Sequence, residues 1–349
     1  MAYTTINKSS LHQNAVLYTG NDSAGHSITG IGFQPDLWWN KSRSGTHSAG
    51  VHCLYDSVRG VTKRLKSNSS DAEETISGVT AFGTDGVTLG SENQSNGDST
   101  NYVAWNWKAG GAASSNSDGT ITTSVSANTT SGFSILTYSG TGSGGGTIGH
   151  GLGAKPKVFI CRHLNAAGNN WQVWVDTTGD GTSDQRLLLN GIGSNYNNNH
   201  ITFGTSTITL PSSDSDAWSG SGKNYVGYAF LEKTGYSKYG LYEGNNSSSD
   251  NCFIYTGFKP KFLIIKNTDA DADWVISDYK RNPINPRDDV LLANSSVAEQ
   301  DWSSYPIDIL SNGFKIRNNG QGTGTSHTFL YIAFGQSLVG SNNIPCTAR

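Results

Sequence analysis

Apolar residues in this chain come in short clusters separated by stretches of Gly, Asn, Ser and Thr. Three clusters begin two positions after a proline and are apolar at consecutive positions. They are Leu37-Trp38-Trp39 after Pro35, Val158-Phe159-Ile160 after Pro156, and Phe262-Leu263-Ile264-Ile265 after Pro260. Unbroken runs of this length predict strands buried on both faces. A proline at the entry of such a strand sacrifices no ladder hydrogen bond. Each run closes on a base: Lys41, Arg162 and Lys266.

These runs belong to a longer repeated pattern. Tyr18-Thr19-Gly20 recurs as Tyr138-Ser139-Gly140 and Tyr242-Glu243-Gly244. After each central run comes an apolar stretch ending in Asp56, Asp176 or Asp278, then a Leu-rich segment ending in Asn68, Asn190 or Asn294. Asp85-Gly86 and Asn312-Gly313 signal hairpins through positive φ at both turn positions. Thr205-Ser206 is a weaker turn at the matching place. Val103-Ala104-Trp105, Tyr228-Ala229-Phe230 and Ile332-Ala333-Phe334 read as the closing strands. The expectation is an all-β chain of three tandem, jelly-roll-like β-sandwich repeats of about 90 residues. The boundaries are 1–108, a flexible linker over 109–118, 119–234 and 235–349. Tyr236 and Tyr239 at the second join are expected to pack, making the last two repeats a rigid pair.

Composition narrows the class. Gly, Ser, Thr and Asn make up 44% of the 349 residues, charged residues 15%, and the net charge is -3. Gly, Asn and Ser disfavour helices, so a helical protein or coiled coil is excluded. The 9 Trp, 15 Tyr and 12 Phe supply a core, which argues against disorder. The charge balance offers no basic field for nucleic acid and no polybasic membrane patch. No apolar run is long enough to span a bilayer, and the start lacks a signal-peptide core. Cys53, Cys161, Cys252 and Cys346 lie far apart without a CxxC pair and read as free thiols of a reducing compartment.

Chemistry is harder to find. The eight His do not recur at equivalent positions, and His150 reads as a turn residue held by backbone. No hydrolase, zincin or phosphate-loop motif is present. Asp176, Asp180 and Asp184 resemble a calcium loop but lack its third-position acid and twelfth-position Glu. They are a weak Ca2+ candidate in a chain otherwise expected to need no cofactor. Asp269, Asp271 and Asp273 form a similar acidic loop. Asp56/Arg59 and Asp278/Arg281 read as local ion pairs, with ligand binding by the guanidinium as the sharper alternative. Tyr196, Trp218, Trp302 and Tyr305 are aromatics in polar loops, the composition that suits a sugar ring or a protein partner. No catalytic residue is assigned.

Several stretches carry a resemblance. They include Asp56-Ser57-Val58-Arg59-Gly60, Tyr102 to Gly110, Asp118-Gly119-Thr120-Ile121 and Gly149-His150-Gly151-Leu152-Gly153. Gly235 to Gly240, Tyr255 to Pro260, Leu310 to Lys315 and the ending Ile344-Pro345 to Ala348-Arg349 complete the set. Together they resemble an uncharacterised three-repeat family of virion structural, fibre- or decoration-type proteins of marine tailed phages, including cyanophages. The resemblance spans nearly the whole chain and implies a non-enzymatic part of the virion surface. That part would serve tail or fibre-tip adhesion, or head or tail decoration, and would be assembled in the host cytoplasm. A glycan-binding, lectin-like receptor-binding protein is the alternative, and a polysaccharide hydrolase is disfavoured by the unpaired acids. The expected partners are other virion proteins, a host-surface glycan or protein, and copies of the chain itself. A trimer ranks first, unless three internal copies imitate one. Nucleic acid and membrane insertion are not expected.

Overall fold

The consecutive apolar runs become central strands because both faces of their sheets are covered. In the computed structural model, described for residues 3–340 apart from 48, 214, 305 and 321, the regular structure is almost entirely antiparallel β-strand. One strand order appears three times. The opening strand pairs with the closing strand, which pairs with the central strand, which pairs with a fourth. The first set is Gln13–Thr19, Asn101–Trp107, Leu37–Ser44 and Cys53–Asp56. The second is Phe133–Ser139, Asn224–Phe230, Val158–His163 and Gln172–Val175. The third is Ser237–Glu243, Thr328–Gln336, Lys259–Asn267 and Val275–Asp278. A three-stranded sheet lies over each, giving three sheet pairs.

Side chains on a strand alternate between its two faces, and here each face has its own core. Trp38, Phe159, and Leu263 with Ile265 point into the interiors of their own sheet pairs. Leu37 and Trp39, Val158 and Ile160, and Phe262 and Ile264 point the other way, into one cluster shared by all three pairs. At its centre the rings of Trp107, Phe230 and Phe334 form a triangle. Their centroids are 6.5, 5.8 and 5.7 Å apart, with edge-on geometry throughout. Tyr236 and Tyr239 of the second join are buried in the same cluster.

The strand registers adjust four expectations. Leu37, Val158 and Phe262 stand opposite Trp107, Phe230 and Phe334. The closing landmark of the first sheet is therefore Trp107, two residues beyond Trp105. Trp105 matches Tyr228 and Ile332. On the other side Leu37, Val158 and Phe262 face Asp56, Val175 and Asp278, so Val175 rather than Asp176 holds the middle strand end. The hairpins form at Thr84-Asp85 and Ser311-Asn312, with Gly83 facing Gly86 and Leu310 facing Gly313. Their glycines are required by close strand approach, not by positive φ. A Cβ on Gly86 or Gly313 would lie 1.8 or 2.1 Å from the carbonyl of Ile28 or Ile254. Pro35 and Pro156 precede their strands, whereas Pro260 lies inside its strand at a register shift before Phe262.

The segment 109–118 is a structural element rather than a flexible linker. Ala109 is buried, and its N–H donates to Asp36 Oδ2 at 2.7 Å. The Gly110 N–H donates to Ser126 Oγ at 3.0 Å. Ser114–Asn116 then pairs with Thr123–Asn128, which extends the second large sheet. Small polar residues permit this because the backbone and short side chains satisfy one another at the sheet edge. Among the described residues Cys53, Cys161 and Cys252 are free thiols. Burial pushes those of Cys53 and Cys161 up to about 12, so both are inert. Cys346 and the segment 344–349 lie outside the described residues.

Candidate binding sites and the junctions between sheet pairs

The bases that close the central runs act across the junctions. Lys41 Nζ of the first pair donates to the Ser296 carbonyl of the third at 3.4 Å. Arg162 Nη2 of the second donates to the Asp71 carbonyl of the first. Lys266 Nζ of the third donates to the Ile192 carbonyl of the second at 2.9 Å. The contacts run first to third, second to first and third to second, which closes a ring. Burial lowers Lys41 and Lys266 to about 8 and Arg162 to about 10.

A second ring runs beside it. His52, Trp171 and Trp274 occupy equivalent positions, each just before or at the start of a fourth strand. His52 Nε2 meets the Leu292 carbonyl at 2.9 Å, Trp171 Nε1 the Lys66 carbonyl at 2.8 Å, and Trp274 Nε1 the Leu188 carbonyl at 2.9 Å. Trp39 Nε1, which can only donate, gives its hydrogen to His52 Nδ1 at 2.9 Å. The His52 proton therefore sits on Nε2 and the ring is neutral.

Asp56/Arg59 and Asp278/Arg281 lie at these junctions, and Arg59 also lines an open cavity of about 530 Å3 with Glu73, Ser124 and Tyr138. Arg59 Nε and Arg281 Nε each contact their own Asp at 2.6 Å, and both pairs are buried. Tyr228 Oη from the second pair donates to Asp56 Oδ2 at 2.8 Å. Trp105 Nε1 from the first donates to Asp278 Oδ2 at 2.9 Å. Glu299 spans Arg281 and Arg43 at 3.0 and 2.7 Å, tying third to first again. Sequence reasoning missed Glu299, because nothing local links it to an arginine 256 residues away. At the remaining junction the donor position is Ile332 and the acceptor position is Val175, both in the shared apolar cluster.

The calcium-loop candidates do not converge. Asp176 accepts the Gly179 and Gly181 N–H groups at 2.6 and 2.9 Å. Asp180 accepts the Thr182 N–H at 2.7 Å, and Asp184 the Thr177 N–H at 2.7 Å. Each carboxylate closes its own stretch of loop. Asp269 instead accepts the N–H of Thr328, 59 residues on at the start of the closing strand, at 2.8 Å. Among the described residues no three His, Cys, Asp or Glu side chains are grouped to hold a metal. His150 is buried, with Nδ1 accepting from the Leu152 N–H at 3.2 Å.

Of the loop aromatics, Trp218 is core rather than binding platform. It is 3% exposed, and its Nε1 donates to the Ser213 carbonyl at 3.0 Å. The Arg186 guanidinium lies 5.4 Å from the ring centres of both Trp218 and Tyr196, so the Tyr196 ring already has a cation on it. Tyr305 lies outside the described residues. Trp302 has a different setting. It lines a cavity of about 570 Å3 between the second and third pairs, with Ile192, Asp271, Asp273 and Asp301. Its Nε1 donates to Gln300 Oε1 at 3.2 Å, and its ring packs where a Cβ on Gly322 would come within 3.2 Å. An aromatic ring beside carboxylate acceptors suits a hydroxyl-rich ligand without negative charge. The structure thus joins Trp302 to two of the acidic-loop residues that sequence reading treated separately.

No curated protein and no solved structure matches the chain. A family match extends over residues 8–337, which takes in all three sheet pairs and the junctions between them. The chain belongs to the family described as a domain of unknown function, DUF7483.

Proposed function

We propose that this chain is a structural component of a tailed-bacteriophage virion, exposed on the particle surface in tail or fibre-tip adhesion or in head or tail decoration, and acting without catalysis. The reading grows from the family resemblance in the sequence. The observation that carries it is how the buried charged groups are used. Lys41, Arg162, Lys266, Arg59 and Arg281 serve cohesion of the body, and all five act at or beside contacts between sheet pairs. A low-charge exterior can be packed against neighbours without stripping many ions of water. Three sheet pairs closed in a ring also offer one chain the shape of a trimer, which suits attachment near a symmetric particle axis. The partners on this reading are other virion proteins and a host-surface glycan or protein. Gold-labelled antibody against the chain should decorate intact particles in electron micrographs. Labelling only after particles are broken, or none, overturns the proposal.

A lectin-like receptor-binding role is the second reading, favoured by the cavity at Trp302. Deleting the chain from particles separates the two. Lost adsorption supports receptor binding, and intact adsorption supports decoration.

A further inference from the structure

We infer that the third sheet pair carries a binding face for an anionic polysaccharide, built from Tyr3, Phe253, Tyr255 and a group of lysines. The inference concerns the isolated chain and stands whether or not the chain sits on a particle.

The three small sheets are alike inside and different outside. Ile28, Ile148 and Ile254 all point inward from matching strands. The outward positions beside them hold Ser27 and Thr29 in the first sheet, and Thr147 and Gly149 in the second. In the third they hold Phe253 and Tyr255. These rings are 46% and 55% exposed, and Tyr3, whose Oη donates to the Gly257 carbonyl at 2.9 Å, is 41% exposed beside them. Burial of such rings is strongly favourable, so a sheet that presents them to water only in the third copy has kept them for a partner.

The charge beside them is positive. Lys238 Nζ lies 5.3 Å from the Tyr255 ring centre and donates to the Tyr255 carbonyl at 3.0 Å. Lys261 and Lys280 share the ring of Tyr279, at 5.5 and 5.4 Å. Burial, and after it the ammonium groups of Lys259, Lys280 and Lys8, lowers the pKa of Lys261. The Asp36 carbonyl accepts from Ser57 N–H as that of Lys261 does from Tyr279 N–H, so Asp36 of the first pair stands where the third has Lys261, and Gln34 two residues earlier where it has Lys259. A chain of net charge -3 has thus drawn Lys8, Lys259, Lys261 and Lys280 close together, at an electrostatic cost. Sulfate, phosphate or carboxylate groups would relieve that cost. Exposed rings next to ammonium groups match a sugar face next to its acidic substituent. A nucleic acid fits less well, because its long uniform charge would meet an acidic protein beyond the patch.

The test uses the purified full chain with dextran sulfate, uncharged dextran and a DNA duplex. Lys8 and Lys280 are exposed and repel Lys261, so the Lys8→Gln/Lys280→Gln pair should not lower the melting temperature. Dextran sulfate should bind in a salt-sensitive way and dextran should not. The lysine pair should weaken binding about tenfold. Tyr255→Ala should weaken binding of the polymer but not of free sulfate. Lys108→Gln/Lys155→Gln, exposed lysines elsewhere, should have no effect. Absent binding, equal loss in the control pair, or duplex DNA bound as tightly as dextran sulfate overturns the inference.

Discussion

Trp105 Nε1 donates to Asp278 Oδ2 at 2.9 Å, although the two residues are 173 positions apart and lie in different sheet pairs. Asp278 is buried, and the charge of Arg281 beside it holds its carboxyl below the usual range against the opposing pull of burial. The indole N–H is thus part of the solvation of a buried ion pair. Trp105→Phe leaves an aromatic face near Arg281, which sits 5.9 Å from the Trp105 ring centre, and removes the donor together with the buried pyrrole part of the indole. The expected cost in denaturant unfolding is about 2–4 kcal/mol, the unmade hydrogen bond plus a small cavity. Asp278→Ala leaves the buried Arg281 with the Glu299 carboxylate and the Ile276 carbonyl and should cost about 3–5 kcal/mol. Equal effects of the two changes would show that the indole, not the carboxylate, organises the junction.

The same place in the second pair should reject a charge. Val175 occupies the position of Asp56 and Asp278, Ile332 that of Trp105 and Tyr228, and Thr178 that of Arg59 and Arg281. All three members of the polar set are missing together. Val175→Asp buries a carboxylate with neither base nor donor, and should cost several kcal/mol or prevent folding. Adding Thr178→Arg should restore part of the melting temperature. No rescue would break the equivalence drawn from the strand register.

Acid should loosen the junction of the first and third pairs. Burial, then the positive charge of Lys41 and that of Arg281, holds His52 well below its ordinary value, opposed by its hydrogen bond to Leu292. Protonation would also put a hydrogen on Nδ1 where Trp39 already donates one. The unfolded chain takes up this proton near pH 6.5 and the folded chain resists it. Stability is therefore full above about pH 6.5 and declines as pH falls below it. His12, His150 and His163 are lowered as well and add to the same slope. His52→Gln, whose amide can both accept and donate, should flatten the fall in melting temperature between about pH 7 and 5.

Limited proteolysis checks the segment between the first two sheet pairs. Its composition reads as a linker, yet Asp36 and Ser126 hold its start, and Ser114–Asn116 lies in a ladder. Trypsin at Lys108 and elastase at Ala109 or Ala112 should cut slowly, and Asp36→Ala should speed both. Rapid cutting of the native chain would restore the linker.

How much the sequence discloses depends on distance along the chain. The central runs are legible because burial on both faces demands consecutive apolar residues. Their closing bases are visible too, though not their purpose, since Ser296, Asp71 and Ile192 are remote acceptors. Trp105 looks like the partner of Phe230 and Phe334 because all three are aromatic. Only hydrogen-bond register shows Trp107 in that place. Trp218 reads as a loop platform because Asp216, Ser219 and Gly220 surround it in sequence, while in space it is covered. The lysines at 8, 238, 259, 261 and 280 are hidden by a near-neutral total, which averages away a local field.

The central claim is that the three sheet pairs are one closed body, held by polar contacts at every junction around the Trp107, Phe230 and Phe334 rings. Scanning calorimetry of the purified chain tests it most directly. The account predicts one transition whose calorimetric and van't Hoff enthalpies agree, and no folded state for residues 1–108 expressed alone. Two or three separated transitions, or an independently folded first sheet pair, would contradict it.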